Sequence, residues 1–191
     1  MSQDIGFSAI FLRKVLEKVK SKLDPTAKQI CTELYKSPVF SEDKRQIINE
    51  GIKAYLAEDY MVAIHLLIPQ IEDALRNIVE KMGRPIYKRN RFGAVYLKTL
   101  DEILRDEQIL IAMGEDATLY FRVLLTDPRG WNIRNSVCHG ICSSETFNFQ
   151  VADRIFHVLL ILAQLRIKNN DETQDELNPE KFDNRREGKA K

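Results

Sequence analysis

Apolar residues recur every three or four positions along most of the chain, and that spacing commits it to amphipathic helices rather than strands. Phe11, Leu12, Val15, Leu16, Val19 and Leu23 form one stripe, with Lys14, Lys18 and Lys22 opposite, and Asp24-Pro25 ends it. Pro25 suits the first turn of a second helix, 26–36, where its missing N–H costs nothing. Ser37-Pro38 breaks that helix, and Ser41 can cap the next, which carries Ile47, Ile48, Ile52, Tyr55 and Leu56. A long helix over 60–82 follows, apolar at Ile64, Leu67, Ile68, Ile71, Leu75, Ile78 and Val79, and Gly83 closes it. Pro69 inside it removes a backbone donor and predicts a kink. Further helices run through Leu97, Leu100, Ile103 and Leu104, and through Leu119, Phe121, Val123 and Leu124. Thr126-Asp127-Pro128-Arg129-Gly130 is a strong turn signal, followed by a short helix over 133–141 and a long apolar one over 146–167.

With 8 Gly, 6 Pro and few alternating runs, hairpins have little room. The expected fold is therefore all-α: a single bundle in which N-terminal helices (1–45) pack on a helical domain (46–167). Residues 168–191 are almost entirely polar. Such a segment buries too little apolar surface to offset its ordering entropy, and it reads as a disordered, charged tail.

Charge excludes one class of function. The 29 Lys and Arg residues against 28 Asp and Glu leave a formal net charge of +1, so no global basic field draws the chain to nucleic acid. A local patch is still open. No stretch approaches the ~18–20 uninterrupted apolar residues of a membrane span, and Met1-Ser2-Gln3-Asp4 lacks the layout of a signal peptide. Cys31, Cys138 and Cys142 make no even, spaced framework, which points to reduced thiols and a cytoplasmic setting.

The informative segment is Trp131-Asn132-Ile133-Arg134-Asn135-Ser136-Val137-Cys138-His139-Gly140. On a helix starting after the 127–130 turn, Asn132 is the N-cap. Arg134 and Asn135 then lie in the first turn, where free N–H groups favour an anion. Asn135 and His139, four apart, share a face. Arg134 lies about 140° round from His139 and roughly 7.5 Å along the axis, within reach of a long side chain. A fixed cation, an amide and an imidazole around a phosphate suit RNA cleavage without metal or cofactor. A base takes the ribose 2′-OH proton, an acid protonates the leaving oxygen, and a guanidinium steadies the crowded phosphorane. The plain structural reading pairs Arg134 with a carboxylate such as Asp127.

At these residues the chain resembles the HEPN ribonucleases of toxins, CRISPR effectors and RNA-decay factors, whose signature is Arg-polar-x-x-x-His. Leu66-Leu67-Ile68-Pro69-Gln70-Ile71-Glu72-Asp73-Ala74-Leu75-Arg76 is similar to a first motif of one HEPN branch, and Trp131-Asn132-Ile133-Arg134-Asn135 through His139-Gly140 to its second. That branch includes the endoplasmic reticulum membrane-associated RNA degradation protein and bacterial relatives. The resemblance covers roughly 50–167. It implies a dimerising helical bundle with two Arg134/His139 sets in one composite cleft. Arg134, Asn135 and His139 would be the catalytic residues, with Glu72 and Arg76 as support. Members of the branch are usually longer, so further domains in a longer parent protein are also implied.

Arg84-Pro85-Ile86-Tyr87-Lys88-Arg89-Asn90-Arg91-Phe92 places four cations and two aromatics in one loop, a pattern that can hold phosphates and stack single-stranded bases. Arg84, Lys88, Arg89 and Arg91 are thus the RNA-binding candidates; a solvated loop is the alternative. Cys138-His139-Gly140-Ile141-Cys142 lacks the second Cys/His pair that structural zinc requires. His65 and His157 read as packed helix residues. The leading expectation is a metal-independent endoribonuclease acting on single-stranded RNA as a homodimer. The alternative is an RNA-binding or dimerisation module without turnover.

Overall fold

A computed structural model of the chain describes residues 2–166, with side chains described from Ser8 onward. The tail read at 168–191 lies outside the described residues. The fold is all-α with one small hairpin.

Its centre is α4 (Tyr60–Lys81), 22 residues and about 33 Å long. Asp59 caps it by accepting from the Val62 N–H at 3.2 Å. Ile64, Leu67, Ile68, Ile71, Leu75, Ile78 and Val79 are buried on it, as their spacing predicted. The helix runs through Pro69 as one element, with the ring on the exposed side.

Helix α3 (Arg45–Leu56) and helix α9 (Phe149–Leu162) flank α4. Between α3 and α4 the approach is close enough that a Cβ on Gly51 would lie 2.5 Å from Leu67 Cδ2. Helix α2 (Ala27–Leu34) packs on α3 and α9, and α1 (Ser2–Leu23) crosses α9. Asp153 on α9 is fully buried and accepts from the Tyr55 hydroxyl at 2.7 Å and from Arg13 Nη1 at 3.4 Å. Burial pushes its carboxyl above the usual range, against the pull of Tyr55 and Arg13. This network ties α1 to the bundle.

The structure corrects several boundaries. Thr26 is the N-cap of α2 and forms a capping box with Gln29, so Pro25 lies outside the helix rather than in its first turn. Ser41 makes no cap; its hydroxyl donates to Asp73 at 3.0 Å and accepts from Asn77 at 2.7 Å. The presumed basic loop is a hairpin of β1 (Tyr87–Arg89) and β2 (Val95–Leu97), antiparallel, with Lys88 opposite Tyr96. Leu97 therefore belongs to a strand, and Thr99 caps α5 (Leu100–Ile103) in a second capping box with Glu102. Helices α6 (Glu107–Met113) and α7 (Glu115–Leu125) follow. Helix α8 (Ile133–Cys138) is shorter than the expected 133–141, and α9 starts only after Asn148, whose side chain caps it. Among the described residues no helix is long and apolar enough to cross a membrane.

Replacing Gly51 by Ala would push a methyl into Leu67, and overpacking of this kind costs about 1–3 kcal/mol. Urea unfolding should show that loss, and an unchanged midpoint would contradict the tight α3–α4 contact.

Candidate functional site

The α7–α8 turn sets the position of Arg134. Asp127 takes the guanidinium of Arg129 on both carboxylate oxygens, at 3.0 and 2.8 Å, and accepts the Arg129 N–H at 2.9 Å. Arg129 holds the Asp127 carboxyl well below the usual carboxylate range. Trp131 N–H donates to the Val123 carbonyl at 2.8 Å, which folds the turn back on α7. Gly130 lies so close to that carbonyl that no Cβ fits. Asp127 is thus engaged within its own turn and is not the partner of Arg134.

That partner is Glu72, buried on α4 at 6% exposure. Arg134 Nε donates to Glu72 Oε2 at 2.8 Å and Nη2 to Oε1 at 3.2 Å, a two-point fork. Arg76, one turn on along α4, donates to the same Oε1. Arg134 Nη1 reaches Asn135 Oδ1 at 3.0 Å, and Asn135 Nδ2 donates to Asn132 Oδ1 at 2.7 Å. Asn132 sits at the N-cap in the left-handed region (φ 50°), which Asn tolerates better than most residues. Its side chain bonds Asn135 rather than the helix N–H groups, so the expected cap is not made.

The structure therefore joins Asn132, Asn135, Arg134, Glu72 and Arg76 in one chain of hydrogen bonds. Two guanidiniums share one carboxylate, which leaves a net positive charge on the group. Helix α8 has only six residues; the positive charge here belongs to side chains, not to a long helix dipole. Arginine carries five N–H donors, and Arg134 commits three, leaving one on each terminal nitrogen.

His139 stands apart from this chain. It is the residue after α8, exposed, with its N–H donating to the Asn135 carbonyl at 3.0 Å. Among the described residues its imidazole makes no hydrogen bond or ion pair, and none links it to Arg134.

The second candidate surface is the hairpin. Arg84, Arg89 and Arg91 are exposed, as are Tyr87, Phe92 and Tyr96. Arg91 lies over the Phe92 ring at 4.7 Å. Lys88 is less free: it pairs with Glu102 and lies 4.9 Å from the Tyr96 ring centre.

Of the other histidines, His65 stacks on Phe147 at 4.8 Å, and His157 Nδ1 shares a hydrogen bond with the Tyr120 hydroxyl at 3.2 Å. Among the described residues no three His, Cys, Asp or Glu side chains gather as a metal cluster. The reading from sequence missed the Asp153–Tyr55–Arg13 network; an Asp-Arg pair inside so apolar a helix was the available signal. Comparison with family models, curated proteins and solved structures returns no match.

Because Glu72 serves both arginines, its loss leaves two buried-side guanidiniums facing each other. Glu72→Gln should cost about 3 kcal/mol, in the range for breaking a buried pair. Arg76→Ala and Arg134→Ala should each cost less, since the carboxylate keeps one partner. Urea midpoints for the three variants test the order, and an equal or reversed ranking would contradict the shared-carboxylate arrangement.

Proposed function

We propose that the chain is a metal-independent endoribonuclease domain that cleaves single-stranded RNA by attack of the 2′-OH on the adjacent phosphodiester. The observation that carries this reading is the uncommitted pair of Arg134 N–H groups on a group bearing net positive charge. A phosphate needs such a fixed fork more than it needs a mobile lysine. Glu72 and Arg76 orient the fork from α4. Asn135 braces it from α8 and presents an amide beside it.

His139 supplies the proton-transfer group. An imidazole can accept or donate a proton, so one ring can take the 2′-OH proton and another can protonate the leaving 5′-oxygen. A single chain offers one His139 at this point, whereas a two-fold dimer offers two, and we infer a homodimer with a shared cleft. The hairpin cations Arg84, Arg89 and Arg91, with Tyr87 and Phe92, hold flanking phosphates and bases. Three unpaired cysteines support a cytoplasmic setting for this activity.

A second reading has its own support: nothing among the described side chains holds the His139 ring in one orientation, as a module that binds RNA without turnover would allow. Labelled single-stranded RNA separates the two. In excess chelator the wild type should yield 2′,3′-cyclic phosphate ends. His139→Ala and Arg134→Ala should each lower the rate at least a hundredfold, the span of one lost acid–base or charge-stabilising group. Cleavage that survives both changes removes the site from consideration, and retention of RNA without product favours the binding module.

A further inference from the structure

Helix α1 turns one side to the bundle and the other to solvent. On the inner side Ala9 is buried, Arg13 reaches Asp153, and the Lys20 ammonium donates to the Leu56 carbonyl at 2.9 Å. On the outer side Phe11, Val15, Val19 and Leu23 follow one another at four-residue steps, a ridge about 18 Å long. They are 59%, 59%, 45% and 72% exposed, a large apolar face for a helix already packed on its other side.

Lysines accompany this ridge. Lys14, Lys18 and Lys22 each precede a ridge residue, so they form a second exposed stripe about 100° round the helix. Among the described residues their ammonium groups make no hydrogen bond or ion pair. From Ser8 to Leu23 the roughly 180° sector that holds both stripes contains no carboxylate. Glu17, the one acid in that stretch, lies outside the sector and pairs with Arg13 at 2.7 Å.

This combination selects the occupant. Two copies set face to face would oppose three lysines with three. The centre of a protein–protein interface is depleted in lysine. Valine and leucine offer a nucleic acid no face for base stacking. At a bilayer surface, by contrast, apolar side chains enter the acyl boundary while lysine stems lie along it and their ammonium groups reach the headgroups. We propose that the outer face of α1 docks on an anionic lipid bilayer, with Val15, Val19 and Leu23 inserted among the headgroups and Lys14, Lys18 and Lys22 paired with lipid phosphates. The helix lies on the bilayer, since none among the described residues is long and apolar enough to cross one. The proposal is independent of the nuclease reading.

The test is co-sedimentation of the full chain with vesicles of phosphatidylcholine, alone or with about a third phosphatidylserine. The wild type should partition at least about tenfold more strongly into the anionic vesicles, and salt at about 0.5 M should remove most of that difference. Val15→Ser/Val19→Ser removes apolar contact at nearly unchanged helix propensity, and Lys14→Glu/Lys18→Glu reverses the charge. Each should weaken binding to anionic vesicles about tenfold and keep the melting temperature, because these side chains are exposed. A wild type that stays in the supernatant, equal partition into both lipids, or variants that bind as the wild type does would overturn the proposal. A concentration-dependent dimer dissolved by the valine variant would assign the ridge to a second copy. Loss of single-stranded RNA but not of vesicles by the lysine variant would assign the face to nucleic acid, and either result overturns docking on lipid.

Discussion

A carboxylate inside an apolar helix costs several kcal/mol of lost hydration unless cations face it. Glu72 lies on α4, the helix against which α3, α5, α6 and α9 all pack, and it is exposed at only 6%. Its burial is tolerable because Arg76 and Arg134 both reach it. This requirement positions α8: the short helix contributes few buried residues of its own, Ile133 and Val137, and its docking leans on the Arg134 fork. The same bond that satisfies the core presents an arginine with two donors to spare.

The other buried charge makes a contrast. Asp153 also sits on a core helix, but its partners are a tyrosine and a single, longer contact to Arg13, and burial raises its carboxyl rather than lowering it. Around Asp153 the polar atoms hold α1 in place, and Arg13 keeps about a quarter of its side chain exposed. Around Glu72 the excess charge is positive and its arginine is about a fifth exposed. Both networks tie elements together; what sets Glu72 apart is that two guanidiniums share its one carboxylate, so the group carries a net positive charge.

Much of this was legible from residue spacing. Stripes at three and four residues are direct signals of helix, and the buried positions of α4 follow them closely. Gly83 and the 127–130 turn marked real ends. The hairpin was hidden because Tyr87–Arg89 and Val95–Leu97 are too short to show alternation, and the basic composition of the first strand reads as loop. Asn90 makes the turn by accepting from the Phe92 and Ala94 N–H groups, a local bond that no periodicity reveals. At the site, Glu72 and Arg76 were recognisable as a pair four residues apart, but their burial was not, since it depends on α8 folding over them. Likewise the plain structural reading gave Arg134 to a carboxylate such as Asp127, and the turn, which binds Asp127 to Arg129, leaves Arg134 to Glu72 instead.

The central claim is that Arg134 keeps its Glu72 fork while its two remaining N–H groups bind phosphate. Nitrogen-15 spectra of the arginine side chains test it directly, recorded while a 2′-O-methyl single-stranded oligonucleotide, which cannot be cleaved by 2′-OH attack, is added. The account predicts that the terminal Nη resonances of Arg134 shift on binding while its Nε–H stays hydrogen-bonded to Glu72. Shifts confined to Arg84, Arg89 and Arg91, with Arg134 unmoved at saturation, would contradict it.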